Sequence, residues 1–223
     1  VVSQMETVAR YIDHTLLKPE AVPEDIVRLC EEAQRYRFAT VCVNSGYVEL
    51  AAQKVAGTGV GVCSVVGFPL GACLTRVKAA EAKAAVQAGA SELDMVMNIG
   101  LFKAQDYERV RDDIRAVVAE AEGRVVKVII ETGLLTAAEK RGATELVIEA
   151  GAHFVKTCTG FLGGGATKED VELLAQVARG RIGVKASGGI RSFKQAMALI
   201  AAGATRLGTS AGVAIVNEEK VQT

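Results

Sequence analysis

The stretch EAGAHFVK, residues 149–156, holds a helix end, a turn and a strand start in one short run. Before it lies AAEKRGATELVIEA (137–150), whose apolar residues recur at helical spacing; after the glycine come aromatic and β-branched residues suited to a strand. Gly151 stands where a helix closes in left-handed backbone, a conformation that glycine reaches easily because it has no Cβ. The same join recurs in QAGASELD (87–94) and AAGATRLG (201–208). A chain that repeats helix, glycine and strand feeds successive strands into a sheet in the same direction. Candidate strands occur at 11–17, 38–44, 59–68, 91–97, 125–133, 152–158, 181–187 and 204–210, with helical segments such as PEDIVRLCEEAQRY (23–36) between them. Eight β/α units predict an α/β fold of the (β/α)8 TIM-barrel type, with a doubly wound open sheet as the alternative. No Pro/Ser-rich linker divides the chain, so residues 1–223 are expected to form a single domain.

Composition narrows the chemistry. The 223 residues include 26 Lys+Arg and 26 Asp+Glu, so no net charge draws the protein to nucleic acid or to an anionic membrane. Any anion it binds must be held locally. The five cysteines form no C-x-x-C pair, which fits reduced thiols in a cytoplasmic protein. Two histidines without H-x-H or H-E-x-x-H spacing give no support for a metal site, and no cofactor motif appears. A secretory leader and a membrane-spanning apolar run are both missing from the sequence, so neither secretion nor insertion is expected.

Counting five residues on from Gly89, Gly151 and Gly203 reaches Asp94, Lys156 and Gly208, toward the C-terminal ends of their strands. That is the face on which barrels of this type build active sites. Lys185 in IGVKASGG occupies a similar place on the following strand, and Lys127 interrupts the apolar run VVKVII, while Glu131 is a further carboxylate nearby. A lone strand-end lysine reads as a solvated side chain, and a carboxylate with a lysine reads as a buried ion pair. Several charges converging in one interior are costly unless they interact, which favours function. Desolvation and the neighbouring Lys185 cation would both favour the free amine of Lys156, and a free amine attacks a carbonyl carbon without a metal. Asp94 is the expected proton-transfer carboxylate.

Three glycine-bearing segments follow the late strands: TGFLGGG (159–165), SGGIRS (187–192) and GTSAG (208–212). Loops of this kind bring backbone N–H groups and helix starts against a phosphate. Together with the lysines they point to a phosphorylated carbonyl substrate. A phosphosugar isomerase or epimerase using Asp94 as base, and a non-catalytic phosphosugar binder, remain open from the residues alone. Cys42, Cys158 and His14 read as structural.

The motifs YIDHTLLKP (11–19), ELDMVMNIG (92–100), VKVIIETGLL (126–135), HFVKTCTGF (153–161), VKASGGIRS (184–192) and RLGTSAG (206–212) together resemble the deoxyribose-phosphate aldolase family of class I aldolases. The resemblance implies a (β/α)8 barrel that reversibly cleaves 2-deoxy-D-ribose 5-phosphate to D-glyceraldehyde 3-phosphate and acetaldehyde, in deoxyribose phosphate catabolism and without a cofactor. It implies Lys156 as the Schiff-base lysine, Lys185 as the second lysine and Asp94 as the carboxylate acting through water. Gly160, Gly188, Gly189, Gly208 and Ser210 match phosphate loops, and Asp13, Thr15 and Lys127 match positions that line or support the pocket. A homodimer or homotetramer is implied as well. Cys158, Phe161 and Ala211 depart from residues common in the family at those positions.

Overall fold

A computed structural model describes residues 7–222. Eight parallel strands, β1 (Ile12–Leu16), β2 (Thr40–Val43), β3 (Gly61–Val66), β4 (Glu92–Val96), β5 (Val125–Ile129), β6 (Phe154–Lys156), β7 (Gly183–Ser187) and β8 (Arg206–Thr209), close in sequence order. The closing seam pairs Ile12 with Leu207 and His14 with Thr209. Helices α1 (Pro23–Tyr36), α2 (Val48–Val55), α3 (Thr75–Gln87), α4 (Ile99–Lys103), α5 (Tyr107–Glu120), α6 (Ala137–Glu149), α7 (Lys168–Ala178), α8 (Phe193–Ala201) and α9 (Gly212–Gln222) surround the barrel. The fold is a (β/α)8 barrel, as the repeated join predicts, and the open sheet is excluded by the β1–β8 pairing. Gly89, Gly151 and Gly203 all have positive φ (108°, 81° and 113°), the left-handed closures expected of them.

Every strand is shorter than its apolar run, and the excess forms the loops that bear function. The run 125–133 ends as a strand at Ile129, because Glu131 turns the chain with φ 55° and ψ 69° into a 3-10 turn at Thr132–Leu134. Of the expected 152–158 only Phe154–Lys156 is strand. Beyond it the Thr157 hydroxyl is committed to Ser187, donating to its carbonyl (3.0 Å) and accepting from its N–H (3.0 Å). Gly67, with φ 63°, ends β3 two residues early.

The main core lies between sheet and helices, where Val41, Leu93, Val126, Val155 and Leu207 pack with Ile26, Ala82, Ile114 and Leu146. The barrel interior is different. Apolar branched residues usually fill it, but here Asp13, Thr40, Asp94, Lys127 and Lys185 are fully or almost fully buried in it. A small apolar group, Leu17, Cys42, Cys63 and Val65 with Phe68, forms a separate cluster.

A second buried ion pair braces the barrel from outside. Lys78 on α3 reaches Asp113 on α5 (2.6 Å) and donates to the Val96 carbonyl at the end of β4 (2.9 Å), and the Thr75 hydroxyl donates to the other Asp113 oxygen (2.8 Å). Removing one partner leaves the other charge buried and uncompensated. Asp113→Ala should therefore lower unfolding stability by about 3–5 kcal/mol. The double variant Lys78→Met/Asp113→Leu should recover a large part of that loss, as measured by urea denaturation.

Candidate active site

The carboxylate of Asp94 is the centre of the interior. Its Oδ2 accepts from Lys156 Nζ (2.8 Å) and Lys185 Nζ (2.7 Å), and its Oδ1 from Lys127 Nζ (2.9 Å). Lys185 is shared with Asp13 Oδ2 (2.5 Å), and Lys127 with Glu92 Oε2 (2.6 Å). Arg206 closes the network below, from Nη1 to Asp13 Oδ1 (2.7 Å) and to Glu92 (2.9 Å). Strand pairing builds this directly: Asp94 is the register partner of Lys127, and Lys156 that of Lys185. Gly208 lies where a Cβ would come within 3.0 Å of Lys185 Cε, so the missing side chain leaves room for the lysine stem. The three positions five residues beyond the helix-closing glycines thus converge on one site.

Burial alone would raise the Asp94 pKa, but Lys127, Lys156 and Lys185 together hold it well below the usual carboxylate range. For Asp13, burial is likewise outweighed, by Lys185, Lys127 and Arg206 in that order. Lys185 and Lys127 shift upward against the same burial, Lys185 because of Asp13 and Asp94, Lys127 chiefly because of Asp94. Asp13 and Asp94 thus favour the ammonium form of Lys185. A carboxylate oxygen stands between it and Lys156, so the two lysines meet through Asp94 rather than directly.

Above the network a cavity of about 440 Å³ opens at the C-terminal end of the strands. Lys156 forms its floor; Thr15, Gly160, Gly188, Gly189, Gly208 and Ser210 are in its walls. Asp13, Asp94, Lys127 and Lys185 lie beneath the floor instead, so the expected residues divide into a lining set and a supporting set. Gly160, Gly188 and Gly189 have φ of 80°, 94° and 75°, and a Cβ on Gly188 would lie 2.7 Å from Cys158 Sγ. Helices α8 and α9 begin directly after the second and third glycine loops, with Ser192 capping α8 by accepting from the Gln195 N–H.

Several residues of the site were not singled out from sequence. Lys18 and Arg191 bring cationic side chains to the cavity lining, and Thr159 and Ile190 line it too. Both cations sit inside quoted motifs, LLKP and GGIRS, and a requirement for charge beside the glycine loops would have found them. Glu92 and Arg206 belong to the ion network, but their chemistry shows only once the barrel closes. His14 points out of the interior, with Nε2 2.6 Å from Glu32 Oε2. Cys158 is buried and donates to the Ser187 carbonyl, and burial pushes its thiol pKa up, in line with a packing role. Phe161 meets Phe68 edge to face over the mouth, with centroids 5.2 Å apart. Cys42, Cys63 and Asp94 bring possible metal-ligand atoms within 4.8 Å of one another. Lys127 Nζ is 3.5 Å from Cys63 Sγ, three lysine amino groups already hold Asp94, and the charged forms of Lys127 and Lys185 are favoured, so a cation would enter against like charge.

Residues 7–218 match the model of the DeoC/LacD family aldolases. The chain belongs to that family. It is 57% identical over 216 residues to the deoxyribose-phosphate aldolase of Halalkalibacterium halodurans, covering 96% of each chain. It is 56% identical over 211 residues to that of Streptococcus sanguinis, covering 95% of this chain and 96% of the relative. Among solved structures, the aldolase QR15 superposes with a TM-score of 0.93 at 43% identity, over 96% of both chains. A tetrameric deoxyribose phosphate aldolase from Aeropyrum pernix gives 0.91 at 37% identity, over 97% of this chain and 92% of that one. The protein is an aldolase, a carbon–carbon lyase of the aldehyde-lyase kind. Among the described residues no helix is long and apolar enough to cross a membrane.

The network ties stability to acid. Carboxylates with depressed folded-state pKa values stabilise the fold above their unfolded value of about 4 and lose that contribution as pH falls below it. Urea midpoints should fall steeply below about pH 4. In Asp13→Asn the midpoint should be lower at neutral pH, where Lys185 loses a partner, and the acid slope shallower.

Proposed function

We propose that the aldolase reversibly cleaves 2-deoxy-D-ribose 5-phosphate to D-glyceraldehyde 3-phosphate and acetaldehyde through a Schiff base on Lys156, in deoxyribose phosphate catabolism. One observation carries this reading: Lys156 is the network lysine that meets the cavity, and it shares a carboxylate oxygen with Lys185, whose charged form Asp13 and Asp94 favour. Fully ionised, the network holds four cations (Lys127, Lys156, Lys185, Arg206) against three anions (Asp13, Glu92, Asp94). With the Lys156 amine free, as addition to a carbonyl requires, the set stands neutral and the other three cations keep their partners. The amine then adds to C1 of the open-chain sugar, and water leaves to give the iminium, an electron sink. Deprotonation of the C3 hydroxyl, assisted by Asp94 through a water, releases the C2–C3 bonding pair into the iminium as the bond breaks. Glyceraldehyde 3-phosphate departs, and the enamine takes a proton at C2. Hydrolysis then frees acetaldehyde and Lys156.

The 5-phosphate is assigned to the end of the cavity bounded by Gly160, Gly188, Gly189, Gly208 and Ser210, where Lys18 and Arg191 supply charge. Thr15 lines the sugar's path, and Asp13 and Lys127 hold Asp94 and Lys185 in position. The names of the curated relatives support this substrate, and the tetrameric relative supports a homodimer or homotetramer. A cytoplasmic location accords with five free cysteines.

Incubation with acetaldehyde and borohydride, followed by peptide mapping, should leave the reduced adduct on Lys156. An adduct on another lysine would sink the assignment. Lys156→Arg should form no adduct and lose turnover, and Asp94→Asn should lower kcat by about 10²–10⁴-fold. Lys185→Leu should lower the urea midpoint, because Asp13 and Asp94 lose a shared partner, and the folded variant should react more slowly with acetaldehyde.

A further inference from the structure

Glu131 is a fully buried carboxylate that takes no part in the ion network beneath Lys156. Its Oε2 accepts from both the N–H (3.1 Å) and the hydroxyl (2.7 Å) of Thr159. The Thr159 hydroxyl in turn accepts from the Phe161 N–H (3.1 Å). One oxygen of Glu131 therefore fastens the whole 159–161 turn, in which Thr159, Gly160 and Phe161 all line the cavity. Next to it, the Thr132 N–H donates to the Thr157 carbonyl (2.9 Å), so the loop after β5 grips the chain on leaving Lys156. Glu131 does this from a left-handed backbone, with φ 55°, which disfavours a side chain with a Cβ. Glycine or asparagine would satisfy the turn alone. Glutamate adds the reach of a carboxylate to Thr159.

We propose that Glu131 is a positioning residue for phosphate recognition: acting through Thr159, it fixes the 159–161 turn that bounds the phosphate end of the cavity. This rests on the phosphate assignment made above. Glu131 touches neither Lys156 nor Asp94, so its influence falls on substrates that carry the phosphate. Its Oε1 is buried with no partner among the described residues. In glutamine the carbonyl oxygen can take over the Thr159 contacts while the amide nitrogen occupies the place of Oε1.

The test compares kcat/KM for 2-deoxyribose 5-phosphate with that for unphosphorylated 2-deoxyribose. In Glu131→Ala the ratio should fall by about tenfold or more, mainly through KM for the phosphorylated sugar, as expected for losing the hydrogen bonds that orient a binding turn. Glu131→Gln should restore the ratio to within about threefold of the parent. Thr159→Val should lower it as well, and Glu131→Ala/Thr159→Val should be no worse than the poorer single variant, because both break one chain of bonds. Equal loss on both sugars, or additive losses in the double variant, would overturn the proposal. Should Glu131→Ala fail to fold, Glu131→Gln and Thr159→Val decide it by the same ratio. A parent enzyme indifferent to the phosphate would remove the substrate reading and this proposal together; a parent that prefers it, with the ratio unchanged in the variants, would remove this proposal alone.

Discussion

One carboxylate sets the terms for the rest of the molecule. Asp94 holds three lysine amino groups in a barrel interior that would otherwise be filled with branched apolar side chains. An unpaired charge in that place would be prohibitive, so each member of the network depends on the others being present. Their stems fill the space, with Lys127 and Lys185 among the largest fully buried side chains. Stability and chemistry therefore draw on the same residues. The apolar core has moved outward, between sheet and helices, and this frees the interior for ions.

Around this centre the late loops are fastened to one another in order. Glu131 binds Thr159, Thr157 and Cys158 bind Ser187, the Ala166 N–H meets the Gly188 carbonyl, and the Thr209 hydroxyl donates to the Ile190 carbonyl. Each fastener crosses from one strand's loop to the next. A glycine-rich wall with little side-chain packing of its own thereby keeps a defined shape. The side chains involved are short hydroxyls, a thiol and one carboxylate, which bond the backbone directly.

Much of this was legible in the chain before folding. The Ala-Gly-Ala joins mark helix ends because left-handed closure is a local property of glycine, and equal spacing from them marked Asp94, Lys156 and Gly208 because strands rise uniformly from equivalent starts. Lys127 and Lys185 stood out because an ammonium inside an apolar run contradicts its surroundings. Strand ends were less legible. Thr157 and Glu131 both lie in runs that read as strand, and their exit is set by Ser187 and Thr159, residues distant in sequence.

The sequence by itself determined the number and order of the β/α units, their parallel direction, and that Asp94, Lys127, Lys156 and Lys185 are charges set in apolar runs, since periodicity, glycine placement and alternation are local. Only the tertiary structure decided that Asp94 separates Lys156 from Lys185, that Arg206 and Glu92 join the ion network, and that Glu131 fastens the 159–161 turn. Those facts depend on barrel closure, which brings β8 against β1 and sets partners such as Asp13 and Arg206 face to face across nearly the whole length of the chain. Electrostatic pairing acts over a few ångströms of space, and no spacing along the chain encodes it.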